Sequence, residues 1–317
     1  MAFQDIVKVE KPDTYLDIAF RSGRDKINIT RQKVKGPKLE RSKTIELERV
    51  KAVRKYLVNS LDKIIKSFPS FESMPEFYKE LAKCTIDYPE TKRSLGAINW
   101  AKNQVEKFYK IYSTKIKGAR DISLINNYRR EFYGRVSSII KQINTELEIL
   151  ENSRRIIREY PVIKTDLFTV ALFGFPNVGK TTLLSKLSSS KPEIAAYPFT
   201  TKDINIGYAR QDSKKIQLLD TPGTLNRFNK MNNIEKQAIL VIKHVANLVV
   251  YIFDLTEPYP LEEQKKLFQN LKDIKKQMVV YLSKSDTLNK TIVENFKKEI
   301  DAFTDAKKLK DYLFSLT

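Results

Sequence analysis

Residues 167–182, LFTVALFGFPNVGKTT, constrain the fold more than any other stretch of the chain. Six of the seven residues from Leu167 to Phe173 are apolar, which predicts a buried strand. Gly174 then opens a loop and Lys180 begins a helical run, so the pattern GxxxxGK[ST] is complete in Gly174, Gly179, Lys180 and Thr181. Glycines let the backbone curl so that successive N–H groups face an anion, and the helix N-terminus adds partial positive charge. Lys180 reaches β- and γ-phosphates as a point charge, and the Thr181 hydroxyl suits Mg²⁺. A plain glycine turn needs neither the preceding strand nor the following helix.

The rest of the second half alternates in the same way. Strands are predicted at Ile204–Tyr208, Ile216–Leu219, Leu248–Phe253, Met278–Leu282 and Tyr312–Phe314, with a helix at Leu261–Lys276. This is a doubly wound, mostly parallel α/β layout with its ligand at the carboxyl ends of the strands. Short motifs fall there in order. Asp220-Thr221-Pro222-Gly223 closes a strand; Asp220 can hold Mg²⁺ through water and the Gly223 N–H can sense a γ-phosphate. Thr200 and Thr201 lie in the intervening loop, where a threonine can close over the metal only when the γ-phosphate is present, an order–disorder switch. Ser283-Lys284-Ser285-Asp286 follows the Met278–Leu282 strand. A carboxylate in that place accepts two hydrogen bonds from the guanine edge, and adenine lacks that donor pair. Ser315-Leu316-Thr317 is read as the segment whose backbone N–H meets the guanine oxygen. The set predicts a GTPase with GTP/GDP and Mg²⁺.

The first half reads differently. Apolar stripes at helical spacing predict long helices at Thr44–Phe68 and Thr91–Lys117, and one from Asp121 through Leu150, with a short helix from Pro75 to Lys83 between the first two. Trp100 is assigned to packing. The near-3.5 spacing predicts an antiparallel bundle, and Pro161 marks a boundary between a bundle domain at 1–160 and a nucleotide domain at 161–317. Before the bundle, Tyr15–Phe20 is read as a short helix and Arg21–Lys43 as a mobile basic arm that orders on RNA. Residues 1–160 hold 34 Lys and Arg against 21 Asp and Glu, and 14 of the 16 arginines, within a net charge of +20. Arginine suits bidentate phosphate contacts, so this half is the expected RNA-facing part. Arg129, Arg130, Arg135, Arg154, Arg155 and Arg158 are assigned to exposed helix faces. The apolar runs are too short to span a bilayer and the N-terminus lacks a signal-peptide core, which predicts a cytoplasmic protein, read as a monomer. Cys84 and His244, one of each, exclude an intrachain disulfide and a thiolate-cluster or His–His metal centre; Cys84 is read as a small buried packing residue and His244 as a passive helix residue.

The chain resembles the nucleolar GTP-binding protein 1 type, the Nog branch of the Obg-related GTPases. The resemblance rests on FPSFESMPEFYKEL (68–81), KRSLGAINWA (92–101) and REFYGRVSS (130–138) in the first half. In the second it rests on GFPNVGKTT, KPEIAAYPFTTK, DTPG and NIEKQA (233–238). It implies a helical domain joined to a GTPase domain, Mg²⁺ dependence and a role in assembly of the large ribosomal subunit, with rRNA and ribosomal proteins as partners. By position it implies that the loop Gly174, Phe175, Pro176, Asn177, Val178, Gly179, Lys180, Thr181 and Thr182 holds the phosphates. Thr181, Thr201 and Asp220 would hold the metal, Lys180, Thr201 and Gly223 would serve hydrolysis, and Ser283, Lys284, Asp286 and Ser315 would hold the base. Asn177 matches an asparagine that helps bind a monovalent cation in related GTPases, so K⁺ assistance is a further expectation.

The chain departs from the family pattern at four places. Ser283 stands where the base motif has asparagine, which predicts weaker guanine binding. Thr224 follows Gly223 in place of a water-positioning glutamine, so no such residue is assigned and slow intrinsic turnover is expected. Asn226-Arg227-Phe228 replaces a more acidic stretch, and the chain stops at Thr317, read as lying before the last helix of a standard domain and before a C-terminal extension. The competing readings are a nucleotide-gated RNA-binding assembly factor with little hydrolysis, a structural RNA-binding protein with a degenerate nucleotide domain, and an ATPase.

Overall fold

A computed structural model describes residues 3–164, 166–195, 204–221, 233–256 and 259–317. These form two compact units: Phe3–Ser70 with Ile86–Arg158, and Phe71–Thr85 with Glu159–Thr317. The second is discontinuous in sequence, because the short helix predicted after Pro75 packs with the nucleotide half.

The first unit is all helical. Helix α1 (Pro12–Lys33) is followed by α2 (Lys38–Ser67), α4 (Tyr88–Gly118), α5 (Ile122–Gln142) and α6 (Asn144–Arg158). The segment read as a mobile basic arm is therefore ordered: α1 runs through it, and α2 starts six residues before Thr44. Gly23 lies within α1 and faces α2, where an added Cβ would lie 2.9 Å from Val53 Cγ2 and 3.1 Å from the Tyr133 hydroxyl. The break comes at Gly36, with φ +116°, and Pro37. In a solvated helix, Gly→Ala gains about 1 kcal/mol, but overpacking a core costs about 1–3 kcal/mol. Because Val53 is fully buried, Gly23→Ala should lower the melting temperature of this unit in a calorimetric scan rather than raise it.

The core is the stripe anticipated from spacing. Val50, Val53, Leu57, Leu61 and Ile64 of α2 face Ile98, Ala101, Val105 and Ile116 of α4 and Ile125, Phe132 and Val136 of α5. Asp87 and Asp121 cap α4 and α5, accepting from the backbone N–H of Glu90 and Leu124. The single helix read from Asp121 to Leu150 is two, because the chain breaks at Ile143, where φ −91° and ψ 21° leave the helical well. Trp100, assigned to packing, is 40 % exposed.

Arg154 is not on an exposed face either. It is buried and forks onto Glu151, with Nε–Oε2 2.7 Å and Nη2–Oε1 2.8 Å. Glu151 also accepts from Arg155 Nε at 3.0 Å and from the Val9 backbone N–H at 3.0 Å, pinning the N-terminal segment. Burial alone pushes the Glu151 carboxyl up, but the hydrogen bonds from Arg154, Val9 and Arg155 outweigh it and hold the pKa at about 2. A folded pKa below the unfolded one adds stability above the unfolded value, lost as pH falls. This unit should lose about 2–3 kcal/mol between pH ~5 and ~2 through this group; Glu151→Gln should remove that slope in acid unfolding.

The second unit is a seven-stranded sheet with helices, among the described residues. Its strands are β1 (Phe168–Phe173), β2 (Glu193–Ala195), β3 (Ile204–Gln211), β4 (Lys214–Asp220), β5 (Leu248–Phe253), β6 (Gln277–Leu282) and β7 (Ala302–Phe303), in the order β2-β3-β4-β1-β5-β6-β7. Pairings from β4 through β7 are parallel, while β2–β3 and β3–β4 are antiparallel. The helices are α3 (Glu76–Thr85), α7 (Lys180–Leu187), α8 (Asn233–His244), α9 (Leu261–Lys272), α10 (Lys290–Glu299) and α11 (Ala306–Ser315). Strand β5 falls where predicted, and β5 is buried along its whole length. The strand predicted at Tyr312–Phe314 is wrong: these residues lie in α11, whose start is fixed by Asp305 accepting from the N–H groups of Lys307 and Lys308. A helix thus follows β7 where the sequence pattern predicts a strand.

Helix α3 is bolted to this unit by hydroxyls. The Tyr78 OH donates to Pro161 O at 2.8 Å and accepts from Ile163 N at 2.9 Å, and the Thr85 and Tyr160 hydroxyls meet at 2.6 Å. Burial raises the pKa of Tyr78 and Tyr160 above the usual phenol range. Cys84, read as a buried packing residue, is exposed on the same helix.

Candidate nucleotide site

The loop from β1 to α7 is shaped by three residues with positive φ: Gly174 at +153°, Asn177 at +63° and Gly179 at +90°. An added Cβ on Gly174 would lie 2.7 Å from the Ile252 carbonyl oxygen, so this glycine lets the loop leave β1 against β5. Asparagine tolerates the left-handed region better than other side chains. Phe175 and Val178 are buried and anchor the loop, Pro176 is half-buried, and Asn177 is exposed. Gly179 caps α7, whose first-turn N–H groups have no helical acceptor of their own. The Lys180 ammonium is buried and donates to Phe175 O at 2.6 Å and Gly174 O at 3.3 Å. An ammonium has three donors, so it can hold loop carbonyls and a phosphate oxygen together. Thr181 and Thr182 are exposed on the first turn of α7.

The next strand supplies the second wall. Asp220 ends β4 beside β1, in register with Leu172. Only 5 % exposed, its Oδ2 accepts from Thr181 Oγ1 at 2.5 Å and from Asn205 Nδ2 at 3.0 Å. Thr221 secures the turn that follows, its hydroxyl donating to Leu172 O at 2.8 Å and its N–H to the same oxygen at 3.3 Å. The hydroxyl and carboxylate expected to share a metal are thus in contact. Hard oxygen donors of this kind, with room for phosphate oxygens, fit Mg²⁺. Thr201 and Gly223 lie outside the described residues, as do Thr200, Thr224 and Asn226-Arg227-Phe228.

The segment expected to hold the base follows the carboxyl end of β6. Ser283 is buried and its Oγ donates to Phe253 O at 3.0 Å; its Cβ lies 3.6 Å from a Cβ built on Gly179, so it adjoins the phosphate loop. Lys284 has φ +52°, and its ammonium pairs with Asp254 Oδ2 at 2.6 Å. Asp286 is exposed on a short 3-10 turn, Ser285–Thr287. Ser315 does not join this group. It ends α11, exposed, with its hydroxyl donating to Tyr312 O at 2.7 Å. The loop beside the Ser283–Asp286 segment is instead Thr304–Asp305, since β7 runs parallel to β6 with Tyr281 opposite Phe303. Burial, then the charges of Asp305 and Asp286, raises the Tyr281 pKa, which places both carboxylates near that ring.

Two residues of the site escaped the sequence reading. Asn205 steadies Asp220 from β3. Asp254 is fully buried after β5; it takes Lys284 on Oδ2 and the Thr256 N–H and hydroxyl on Oδ1 at 2.8 and 2.7 Å. An acidic residue directly after the wholly apolar strand β5 was the available signal for Asp254. Asp254→Ala should leave the Lys284 ammonium without that buried partner. A fall in guanine-nucleotide affinity of about tenfold is expected by titration, in line with the 1.5–3 kcal/mol of a charged hydrogen bond.

Comparison with known proteins gives the family. The model of the NOG1 N-terminal helical domain matches residues 3–164, and that of the 50S ribosome-binding GTPase matches residues 169–284. The chain is 37% identical over 296 residues to the uncharacterized protein MJ1408 of Methanocaldococcus jannaschii, covering 92% of this chain and 83% of that protein. It is 34% identical to nucleolar GTP-binding protein 1 of Encephalitozoon cuniculi, over 83% of this chain and 50% of that one. For nucleolar GTP-binding protein 1 of Saccharomyces cerevisiae the identity is 31%, over 91% and 45%. The chain therefore spans about half the length of these two nucleolar relatives. The crystal structure of a putative nucleolar GTP-binding protein 1 from Plasmodium falciparum aligns at 27% identity with a TM-score of 0.36, over 45% of this chain and 76% of that one. No described helix is long and apolar enough to cross a membrane. With a helical first unit, a phosphate loop backed by Asp220 and these matches over nearly its whole length, the chain belongs to the nucleolar GTP-binding protein 1 family and carries its GTPase domain.

Proposed function

We propose that this protein is a GTP-driven switch that hydrolyses GTP to GDP with Mg²⁺ and acts in assembly of the large ribosomal subunit through rRNA or pre-ribosome contact. The observation that carries it is the Thr181–Asp220 contact beneath the glycine-shaped loop, which joins the two motifs that a nucleotide and its metal require. The ribosomal context rests on the names of the relatives and on the basic first half.

In this reading, loop amides from Gly174 to Thr182 and the Lys180 ammonium hold the phosphates. Thr181 and Asp220, with Thr201, hold Mg²⁺, which when bound neutralises charge on the phosphate oxygens. Thr201 and the Gly223 N–H close on the γ-phosphate and reopen after hydrolysis. Asp286 accepts the guanine edge, and Lys284, set by Asp254, flanks the base. Asn177 is assigned to K⁺; equal hydrolysis in K⁺ and Na⁺ buffers would remove that assignment. Ser283 spends its hydroxyl on Phe253 O, so it leaves the pocket without the buttressing amide, and this favours a second reading in which nucleotide gates RNA contact with little turnover. Titration of labelled GTP and ATP, with and without large ribosomal subunits, tests the proposal. GTP should bind at least tenfold tighter than ATP, because ATP leaves the Asp286 carboxylate unpaired; equal affinities would overturn the guanine assignment.

A further inference from the structure

A second cationic site lies in the nucleotide-binding unit, away from the phosphate loop. A cavity of about 400 Å³ is lined by Lys164, Arg210, Lys215, Tyr208, Ser189 and Glu193, among others. Lys215 Nζ lies 4.2 Å from the centre of the Tyr208 ring and Lys164 Nζ 5.2 Å from it, so one aromatic ring positions two ammonium groups. Arg210 stands directly opposite Lys215 in the β3–β4 ladder. Like charges facing across antiparallel strands are destabilising. Partial desolvation, then Lys164 and Arg210, holds the Lys215 ammonium below the usual lysine range. Glu193 alone offers an opposing charge among the lining residues.

Hydrogen bonds lace the backbone around these cations. Gln217, fully buried, accepts from Lys164 N at 3.1 Å and donates to Lys164 O at 3.3 Å and Thr169 Oγ1 at 3.1 Å. The loop after α7 is laced to β3, with Ser189 N donating to Tyr208 O and Arg210 N donating to Ser189 Oγ, both at 2.8 Å. Three cations are therefore gathered at a cost in mutual repulsion, on a hydrogen-bonded frame, at the surface of a chain of net charge +20. A polyanion with closely spaced charges relieves that cost, and an arginine fork beside two point charges suits phosphodiester oxygens.

We infer that Lys164, Arg210 and Lys215, gathered around Tyr208, form an RNA phosphodiester-binding site on the nucleotide-binding unit, separate from the basic helices. This deepens the RNA-contact part of the proposed function and rests on it. The test uses the full 317-residue chain and a fluorescein-labelled single-stranded oligouridylate, read by anisotropy over a salt series. Each phosphate neutralised on a single strand contributes about 0.7 to the slope of log K against log salt, so Lys164→Gln/Arg210→Gln/Lys215→Gln should flatten the slope by about 2. Lys164→Arg/Lys215→Arg should restore it. RNA should also slow acylation of Lys164 and Lys215 in the wild-type chain, a readout that needs no substitution.

An unchanged slope in the triple variant, together with equal acylation with and without RNA, overturns the site. If Arg21→Gln/Arg24→Gln/Arg31→Gln flattens the slope in that case, RNA contact survives in the first unit alone. No RNA binding by the wild type overturns both this site and the RNA part of the proposed function. Should polyglutamate protect the two lysines and RNA fail to, the surface takes an acidic protein and the inference is wrong.

Discussion

Replacing Lys180 by alanine should abolish nucleotide binding, weakening it by at least about a hundredfold. The ammonium is buried at the foot of α7 and tied to two loop carbonyls. Its removal deletes the charge that meets the phosphates and also the brace that holds the loop curled. A hydrogen bond to a charged group is worth about 1.5–3 kcal/mol, and a tenfold change in affinity is about 1.4 kcal/mol, so two such contacts reach this magnitude. Titration with a fluorescent GTP analogue checks it, with the melting temperature measured alongside to separate lost contact from lost fold. Preserved GTP affinity in a folded variant would mean that the nucleotide sits elsewhere.

Large ribosomal subunits should raise the rate of GTP hydrolysis by about 10³- to 10⁵-fold, the gain that a partner-supplied arginine gives other GTPases. Thr224 follows Gly223 where a glutamine would orient water, so the chain's own turnover should be slow. Single-turnover hydrolysis with and without purified subunits measures the ratio. A ratio near one, with GTP still bound, would favour the nucleotide-gated reading over the catalytic one.

The phosphate loop, β5 and the bundle stripes were legible because each is a dense local pattern. A loop between an apolar strand and a helix needs no long-range knowledge, and neither does a run such as Leu248–Phe253. The continuation of helix α1 beyond Phe20 was missed for a physical reason. Its buried stripe runs Leu16, Ala19, Gly23, Ile27 and Thr30, and the glycine and threonine on it hide the period. The break at Ile143 has no proline or glycine to announce it. Residues 312–314 carry a short apolar run, which fits a strand or a buried helical face; the Asp305 cap and the Leu309–Leu313 spacing decide it. Asp220 was legible as a motif residue, while Asp254 and Asn205 act through partners far along the chain. The bolting of α3 to residues 160–163 depends on hydroxyls more than 70 positions apart, which no local pattern reveals.

That bolting sets an order of events during synthesis. Residues 71–85 leave the exit tunnel early, yet the segment that receives Tyr78 and Thr85 is made only after all of α4, α5 and α6. The nascent α3 must wait, with Phe77 and Leu81 unsheltered, for about 80 further residues, some seconds at ordinary elongation rates. Over that interval the apolar face of α3 is open to misfolding or to a chaperone, and the emergence of Tyr160–Ile163 supplies the partners that close it.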